Sequence, residues 1–520
     1  MKSSLFFMLI CLSLVVDAVA SQPNILFIHM EDMGVQIPAY GDTTVATPQL
    51  DRLADEGVVF ERAQVTAATC SSSRASKFTG LYPHQNGIMG FINHHGFRFR
   101  EGVPTYVQAL KQAGYQCGLT YKTGVMPESA VPFDFIGKSN KNHLTGKDGS
   151  NVTNNAIDNF RYFLKNLKKG SPFYFQAQTP DTHAKWNKPE FIAKGSEGWP
   201  YPEVDPASIK PFPSFGYDFV LTDKLRNLIA SYYGAIQRTD WYVGQLLDVL
   251  EEFGLADDTL VIFSADHGPS ELIRGKTTPY ENGLQVPFIV RWPGVVDPGT
   301  RSDALVSFVD LSPTFQDVAG LKPPAYLPGY SLVPVFKGKP SSRMYQYSAY
   351  NAHTTGKSLY WPSRTVTDGR FKLIHNLNGD GKTPRPYKPS FIMADAIKKQ
   401  QKSSNATAVA VRSNAPPLFE LYDLQNDPGE AHNLIGNPDF AKIEKALRKQ
   451  LMYWRKEVVL DPFCDPAYLE EFNADYAKAI ETMAARIKQL GGAKPSRTGW
   501  HIDWSQHTPP WNPSPYTLKD

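Results

Sequence analysis

The sequence contains little cysteine, little excess charge of either sign and almost no long apolar runs. Only four of its 520 residues are cysteines, so a small fold held together by disulfides is excluded. The formal net charge of +3 gives no global argument for binding nucleic acid, and we expect no such partner. Apolar residues make up 42% of the chain and charged residues 20%, which is typical of a globular protein with room for one large domain and a smaller one.

The one conspicuous apolar run lies at the amino terminus. Lys2 precedes an apolar stretch over residues 5–14, and the small residues Ala18-Val19-Ala20 follow it. A basic start, a short apolar run and a small-residue cleavage site are typical of an export signal, whereas the run is short for an uncleaved anchor. We therefore predict that residues 1–20 are a signal peptide and that the mature protein is exported without a membrane span. Its location would be periplasmic or secreted, or lysosomal in a eukaryote.

Three cysteines remain after such a cleavage, namely Cys70, Cys117 and Cys464. An odd number leaves at least one thiol unpaired in a monomer. Cys117 lies in a strand-like run and is predicted to be a small buried apolar residue, while Cys464 either pairs with it or stays free. Cys70 differs from both because hydroxyl residues and an arginine surround it.

Apolar strand-like runs alternate with helical periodicity from residue 24 to about residue 335. Such alternation predicts a mostly parallel sheet covered by helices on both faces. The predicted strands are residues 24–29, 115–120, 173–177, 259–264 and 287–292, and the predicted helices are residues 104–112, 153–169 and 225–253.

The composition becomes polar near residue 338, and shorter runs bounded by turn residues follow. Asp368-Gly369 between apolar runs is a hairpin signal, so a smaller antiparallel sheet is predicted, with a helix over residues 440–454 packed on it. The predicted division is 22–338 for the first domain, 339–460 for the second and 461–520 for a C-terminal extension. Residues from about 491 onward are rich in Pro, Trp and Ser and are expected to cover the surface without regular structure.

Acidic groups follow two of the predicted strands directly. Glu31-Asp32 comes after the first strand, and Asp266-His267 comes after the strand at residues 259–264. The carboxyl ends of parallel strands meet at one edge of a sheet, where carboxylates repel one another unless a cation lies between them. Oxygen-rich ligands with one imidazole suit Ca²⁺ or Mg²⁺. The alternative is that either acidic group merely caps its loop.

The segment from Cys70 to Leu81 is polar and is predicted to be a turn that enters a helix. Thr69 and the serines that follow Cys70 are good N-cap residues, which puts Cys70 at the amino-terminal end of the helix. Free N–H groups and the helix dipole favour an anion there. A simple polar turn is the alternative.

This segment resembles the signature of the sulfatase family, in which Cys is followed by any residue, Pro or Ala, Ser and Arg, with Thr-Gly further on. Other residues fall in the order found in that family, namely Glu31-Asp32, Lys122, His183, Asp266-His267-Gly268, Gly275-Lys276, Tyr280-Glu281, Asp427-Pro428 and residues 420–423 and 432–434. Matches outside the signature, at residues 84–87, 132–135 and 373–378, resemble the heparan sulfamidase (N-sulfoglucosamine sulfohydrolase) branch of the family.

The resemblance implies an alkaline-phosphatase-like α/β fold with a smaller α+β C-terminal domain, and hydrolysis of sulfate esters or sulfamates on a glycan, a sulfated oligo- or polysaccharide. It implies that a maturation enzyme oxidises Cys70 to formylglycine, whose hydrate supplies the attacking oxygen. It also implies that the cation, Ca²⁺ or less readily Mg²⁺, is bound by the modified Cys70 together with Glu31, Asp32, Asp266 and His267. Three cationic residues would hold the hydrate and the sulfuryl oxygens, namely Arg74, Lys122 and Lys276. His183 would protonate the leaving atom.

The chain departs from the family pattern at several positions. Ser72 replaces the usual Pro or Ala, and Glu31 replaces the usual Asp. Gly124 lies where the family commonly has a histidine that assists sulfate expulsion. Candidates to take over this task are His94, His95 and His183. Pro180 and residues 353–361 also differ from the sulfamidase, so the sugar, the position cleaved and the choice between exo and endo action stay open. Whether the protein forms a homodimer is open as well. A phosphate or phosphonate ester hydrolase and a catalytically silent glycan-binding protein are the alternative functions.

Overall fold

The computed structural model describes residues 22–92, 96–137, 152–183, 201–210, 221–353, 359–385, 415–489 and 504–516. The predicted signal peptide, His94 and His95 lie outside these described residues. Among the described residues, no helix is both long and apolar enough to span a membrane.

The larger sheet has eight strands in the order β4-β3-β5-β1-β6-β7-β2-β8. β7 runs antiparallel to both of its neighbours, and every other adjacent pair is parallel. This confirms the prediction of a mostly parallel sheet. The strands are Asn24–Met30 (β1), Val58–Gln64 (β2), Gln116–Thr120 (β3), Phe135–Gly137 (β4), Phe173–Ala177 (β5), Thr259–Ala265 (β6), Phe288–Arg291 (β7) and Thr300–Ser307 (β8).

The central strands are the ones that the sequence predicted best. β1 and β6 are buried along their whole length, because helices cover both faces of a sheet of this kind. The strands that sequence analysis missed, β2, β4 and β8, lie towards the edges. β8 shows why: its first residues are largely exposed and polar, so no apolar run marks where it begins.

Helices connect and cover the strands. The predicted helices at residues 104–112, 153–169, 225–253 and 440–454 are all present with slightly different ends. The described helices are Pro48–Asp55 (α1), Cys70–Thr79 (α2), Pro83–Asn86 (α3), Tyr106–Gln112 (α4), Val152–Lys165 (α5), Asp223–Glu252 (α6), Glu281–Leu284 (α7), Leu311–Val318 (α8), Val333–Phe336 (α9), Ala441–Tyr453 (α10) and Pro466–Gln489 (α11).

The second sheet is antiparallel and has the order β12-β11-β10-β9. The predicted hairpin joins β10 to β11 at Asp368-Gly369, where Gly369 adopts a φ of 94° and the Asp368 carboxylate accepts the N–H groups of Arg370 and Phe371. α10 packs on this sheet, as predicted. The strands are Gln346–Tyr350 (β9), Ser363–Thr367 (β10), Phe371–Asn376 (β11) and Phe419–Asp423 (β12).

The described part of the C-terminal extension is more closely integrated than the sequence predicted. α11 and Trp504 contribute Phe472, Tyr476 and Trp504 to the same apolar cluster as the larger sheet. Trp504 is only 4% exposed, although the composition of its segment indicated a surface position. The predicted domain boundaries stay a prediction.

The cysteine predictions are resolved for the described residues. Cys117 is fully buried, as predicted for a small apolar residue. Cys70, Cys117 and Cys464 are all free thiols, so the alternative in which Cys117 pairs with Cys464 is wrong.

Candidate active site

Two adjacent parallel strands bring the predicted acidic residues together. β1 pairs with β6 so that Met30 lies opposite Ala265, and each strand is followed at once by its acidic pair. The N–H of Asp266 donates to the Met30 carbonyl at 3.0 Å, and the N–H of Asp32 donates to the Asp266 carboxylate at 3.0 Å. Glu31, Asp32, Asp266 and His267 are all fully buried. The prediction that these residues converge at the carboxyl edge of the sheet is therefore correct.

Cys70 reaches the same edge from α2. It is the first residue of this helix, Thr69 is its N-cap, and the thiol sulfur lies 3.3 Å from Nε2 of His267. Nδ1 of His267 lies 2.8 Å from the Gly268 carbonyl, which can only accept a hydrogen bond, so Nδ1 carries a proton. Nε2 is therefore the ring nitrogen that faces Asp32, Asp266 and Cys70.

One ligand atom from each of Asp32, Cys70, Asp266 and His267 lies within 4.8 Å of the others. This donor set fits a hard divalent cation, because two carboxylates and an imidazole converge on a space lined with charge. Glu31 lies beside this cluster. Its Oε1 accepts from Arg74 and Lys122, whereas its buried Oε2 has no hydrogen-bond partner among the described residues. A buried carboxylate oxygen without a partner also fits a nearby cation.

Three predicted cationic residues lie against the carboxylates. Arg74 donates through Nη2 to Glu31 at 2.9 Å and through Nε to Asp266 at 3.1 Å, so its guanidinium joins the two acidic pairs. Lys276 donates to both oxygens of Asp32, at 2.9 and 3.2 Å, and Lys122 forms an ion pair with Glu31. Arg74 is fully buried, whereas the Lys122 side chain is about a third exposed.

These contacts shift the pKa values of the buried groups. Burial raises the pKa of Glu31, but Lys122 and Arg74 outweigh it and lower the value to about 2. Burial opposes ionisation of Asp32 too, yet Lys276 holds its pKa well below the usual range. For His267, burial disfavours the charged ring, while Asp266 and Asp32 raise its pKa to about 9. The carboxylates of Glu31 and Asp32 are therefore ionised although they are buried.

His183 lies at the end of a described segment that follows β5. The neighbouring Thr182 hydroxyl donates to the carbonyl of Glu31, and His183 is an electrostatic neighbour of Glu31 and Asp32. His183 is partly exposed, unlike the buried carboxylates. It therefore lies on the side of the cluster that solvent can reach.

Sequence analysis missed a glutamine that connects these groups. The side-chain amide of Gln178 donates to the carbonyls of Thr120 and Lys122 at 2.9 Å each, and its Oε1 accepts from Arg74. Gln178 follows β5 directly, so the same rule that identified Asp32 and Asp266 would have identified it.

A second contact that sequence analysis missed involves His353. Nδ1 of His353 lies 2.5 Å from the hydroxyl of Thr69, the residue before Cys70. His353 belongs to the loop whose sequence departs from the sulfamidase, and residues 354–358 of that loop lie outside the described residues.

The missing histidine at position 124 has a steric explanation. Gly124 has a φ of 73°, which side-chain-bearing residues rarely adopt, and a Cβ built there would lie 2.6 Å from Cδ of Arg74. The space that a histidine would need is thus occupied by Arg74.

Comparison with known proteins gives one consistent family. A family model described as Sulfatase matches residues 23–321, and one described as N-sulphoglucosamine sulphohydrolase, C-terminal, matches residues 274–382. An ulvan-active sulfatase of Formosa agariphila is 33% identical over 448 residues, which cover 85% of this chain and 81% of that protein. The N-sulphoglucosamine sulphohydrolase of Homo sapiens is 32% identical over 487 residues, which cover 86% of this chain and 93% of that protein.

Solved structures confirm the alkaline-phosphatase-like fold. A protein solved with its substrate D-glucosamine-2-N,6-O-disulfate has a TM-score of 0.63 at 21% identity, covering 84% of this chain and 98% of that chain. A phosphonate monoester hydrolase of Agrobacterium radiobacter has the same TM-score of 0.63 at 19% identity, covering 84% of this chain and 96% of that chain. At such identities the likeness shows the fold alone.

The Sulfatase family model matches more than half of the 520 residues, and both relatives are more than 30% identical over most of their own length. The buried cluster of Asp32, Cys70, Asp266 and His267 lies within the matched region. The chain therefore belongs to the sulfatase family and is a sulfuric ester hydrolase.

Proposed function

We propose that this protein removes sulfate from a sulfated glycan, as an O-sulfate ester or an N-sulfated glucosamine, with Cys70 converted to formylglycine and one Ca²⁺ beside it. The observation that carries the proposal is the convergence of Cys70 with Asp32, Asp266 and His267 within 4.8 Å, next to three cationic side chains. The substrate class is supported by the two relatives, whose names refer to ulvan and to N-sulphoglucosamine.

Asp32, Asp266, His267 and the modified Cys70 would hold the cation, with Glu31 alongside. When bound, the cation polarises a sulfate oxygen and lowers the pKa of the attacking group. The formylglycine hydrate, in turn, provides an oxygen nucleophile in place of the thiol. Ca²⁺ is favoured over Mg²⁺ because the longer glutamate at position 31 and the mixed ligands suit a flexible coordination sphere.

The chain's own residues would then orient the sulfate group. Two carboxylates and Gln178 hold the Arg74 guanidinium in one orientation. Lys276 and Lys122 present positive charge to the sulfuryl oxygens as negative charge builds up on them. His183, on the accessible side, would donate a proton to the departing oxygen or nitrogen.

Mass spectrometry of the Cys70 peptide from the native source tests the nucleophile. We expect the aldehyde form, and its fraction should follow the specific activity on an aryl sulfate. Fully active protein that contains only the unmodified thiol would contradict the proposal. Mature protein that binds a sulfated oligosaccharide and hydrolyses neither the oligosaccharide nor an aryl sulfate would instead favour a silent glycan-binding protein.

Substitution of Asp266 tests the cation. Asp266→Ala should lower kcat/KM on the order of 10²-fold or more while the fold persists, because the cation loses a ligand and Arg74 loses one of its two carboxylate partners. Asp303→Ala, at an exposed aspartate of β8, is the matched control and should keep full activity. Undiminished activity of the wild type after exhaustive chelation would rule out the cation. Comparing aryl sulfate with aryl phosphate in the same assay separates the sulfatase from a phosphate or phosphonate ester hydrolase.

A further inference from the structure

Lys276 lies in a loop with strained backbone on both sides. The loop connects β6 to β7, and within it Arg274 and Thr277 adopt φ values of 54° and 73°. Residues other than glycine rarely occupy this region, and they persist there only where the surrounding structure holds them. The position of the Lys276 ammonium group therefore depends on the contacts made by its neighbours in the loop.

Arg274 makes buried contacts from this loop to the antiparallel-sheet part of the chain. Its Nη1 donates to the carbonyl of Gly429 at 2.8 Å and to the carbonyl of Glu430, in the turn that follows β12. Its guanidinium lies 4.1 Å from the centre of the Tyr280 ring. Only 8% of Arg274 is exposed, so these bonds are shielded from water.

Further bonds hold the loop from the same side. The Tyr280 hydroxyl donates to Glu420 on β12 at 3.0 Å, and the N–H of Glu281 donates to the Glu430 carboxylate at 2.6 Å. Towards the reaction site, the N–H of Thr277 donates to the Ala68 carbonyl at 2.7 Å, two residues before Cys70. The loop thus lies between the antiparallel sheet and the start of α2.

We infer that Arg274 is the positioning residue for Lys276, and that the turn after β12 fixes the Lys276 ammonium group against Asp32 through it. The inference rests on the proposed function, since it takes Lys276 as a group that holds the sulfuryl oxygens. Arg274 itself touches neither the acidic cluster nor Cys70 in any contact among the described residues.

A lysine cannot replace Arg274 in this position. It keeps the charge and the aliphatic stem, but it lacks the planar group that donates two hydrogen bonds from a fixed orientation while stacking on Tyr280. Arg274→Lys should therefore keep the fold and loosen the loop. Misplacement of a substrate-orienting group by about 1 Å costs on the order of 10²-fold in rate, and we expect a fall in kcat/KM of up to that size.

The decisive experiment is a double-mutant cycle of Arg274→Lys with Lys276→Ala, using an aryl sulfate. If Arg274 acts through Lys276, the substitution lowers kcat/KM in the wild type and changes it little in the Lys276→Ala protein. Calorimetry should show that Arg274→Lys weakens the binding of inorganic sulfate in the otherwise wild-type protein. In the Lys276→Ala protein, the same substitution should leave sulfate binding unchanged. This second measurement needs no turnover.

Arg343→Lys is the matched control, because Arg343 is also a buried arginine, 9% exposed, that binds across the molecule to Asp310. It should lower the melting temperature and leave kcat/KM and sulfate binding unchanged. If Arg274→Lys does not fold, Tyr280→Leu, which removes the stacking surface, replaces it in the same cycle.

Three outcomes would overturn the inference while leaving the proposed function intact. The first is an equal fall in kcat/KM in both backgrounds. The second is a loss of stability without any change in kcat/KM. The third is full activity of Lys276→Ala in mature enzyme. Wild-type protein without formylglycine or without aryl sulfate hydrolysis would overturn the proposed function itself.

Discussion

Gly124 lies beside Arg74 with a backbone φ of 73°, and a Cβ at this position would come within 2.6 Å of Cδ of Arg74. Gly124→Ala and Gly124→His should therefore displace Arg74 from Glu31 and Asp266. We expect kcat/KM to fall on the order of 10-fold to 10²-fold for Ala and further for His, because Arg74 holds charge at the reaction site. Steady-state kinetics with an aryl sulfate provide the measurement.

Gly170→Ala is a suitable control, because Gly170 has a φ of 79° and nothing lies within 4 Å of a Cβ built there. Both alanine variants should lose stability on the order of 1 kcal/mol from the unfavourable φ. A loss of activity is expected only at position 124. A faster enzyme after Gly124→His would mean that Arg74 moves aside without harm and that an imidazole was missing after all.

The contrast between Gly124 and the acidic pairs shows what a sequence can predict at the residue scale. Asp32 and Asp266 could be placed because each follows a recognisable strand directly, and such strand ends meet at one edge. The sequence could not show why position 124 is a glycine, because the reason depends on where the Arg74 side chain lies after folding. Gln178 could have been placed by the strand-end rule, but an amide attracts less notice than a carboxylate.

Between the elements, a buried cluster of charged side chains joins β11 to the first residue of α7 and to the turn after β12. Lys372 on β11 is fully buried and binds Glu281 at 2.8 Å and Glu430 at 3.0 Å. One ammonium group thus faces two carboxylates. Burial raises the pKa of Glu430, Lys372 offsets only part of this effect, and the value is about 7.

This cluster makes stability depend on pH in a defined direction. The pKa of Glu430 is higher in the folded chain than its ordinary value of 4.5, so the folded state binds more protons between these values. Its contribution to stability is therefore lost as the pH rises from about 4.5 to 7. Glu430→Gln removes the ionisable group while keeping an oxygen that accepts the N–H of Glu281.

We expect the melting temperature of Glu430→Gln, relative to the wild type, to be higher at pH 8 than at pH 5. Thermal unfolding of both proteins at the two pH values measures this difference, in which the contributions of titrating groups distant from Glu430 cancel. A difference that is equal at pH 5 and pH 8 would mean that Glu430 is ionised throughout and fully balanced by Lys372.

At the same scale, the sequence predicted the central strands and the helices α4, α5, α6 and α10, but it missed α11 and the strands towards the edges of the larger sheet. Strands β1 and β6 are continuous apolar runs because both of their faces are covered. β9, by contrast, reads Gln-Tyr-Ser-Ala-Tyr and is nevertheless buried along its length. Its polar side chains are accommodated by partners distant in sequence, such as the Arg62 and Val306 carbonyls that accept from Gln346, and no local pattern reveals these.

For the molecule as a whole, the C-terminal extension connects regions that are far apart in the chain. Trp504 stacks on Phe97 at 4.8 Å and on Phe472 of α11 at 5.4 Å. α11 in turn reaches the loop before β10, where Tyr360 stacks on Tyr476 at 4.3 Å and donates to Asn473 at 2.6 Å. The sequence predicted a surface position for residues from about 491 onward because they are rich in Pro, Trp and Ser, whereas Trp504 is inserted into the core.

Trp504→Ala tests whether the extension unfolds together with the larger sheet. Removing a buried tryptophan typically costs about 3–5 kcal/mol, and we expect a loss of that size, because Trp504 is 4% exposed and lies between two other rings. Trp511→Ala is the matched control: Trp511 contacts Tyr326 and Tyr516 but is only partly buried, so its loss should be smaller. Denaturant unfolding followed by circular dichroism should show one transition in the wild type and in both variants, shifted most in Trp504→Ala. An early separate transition in Trp504→Ala, with the main transition unchanged, would instead mean that the extension folds and detaches as an independent unit.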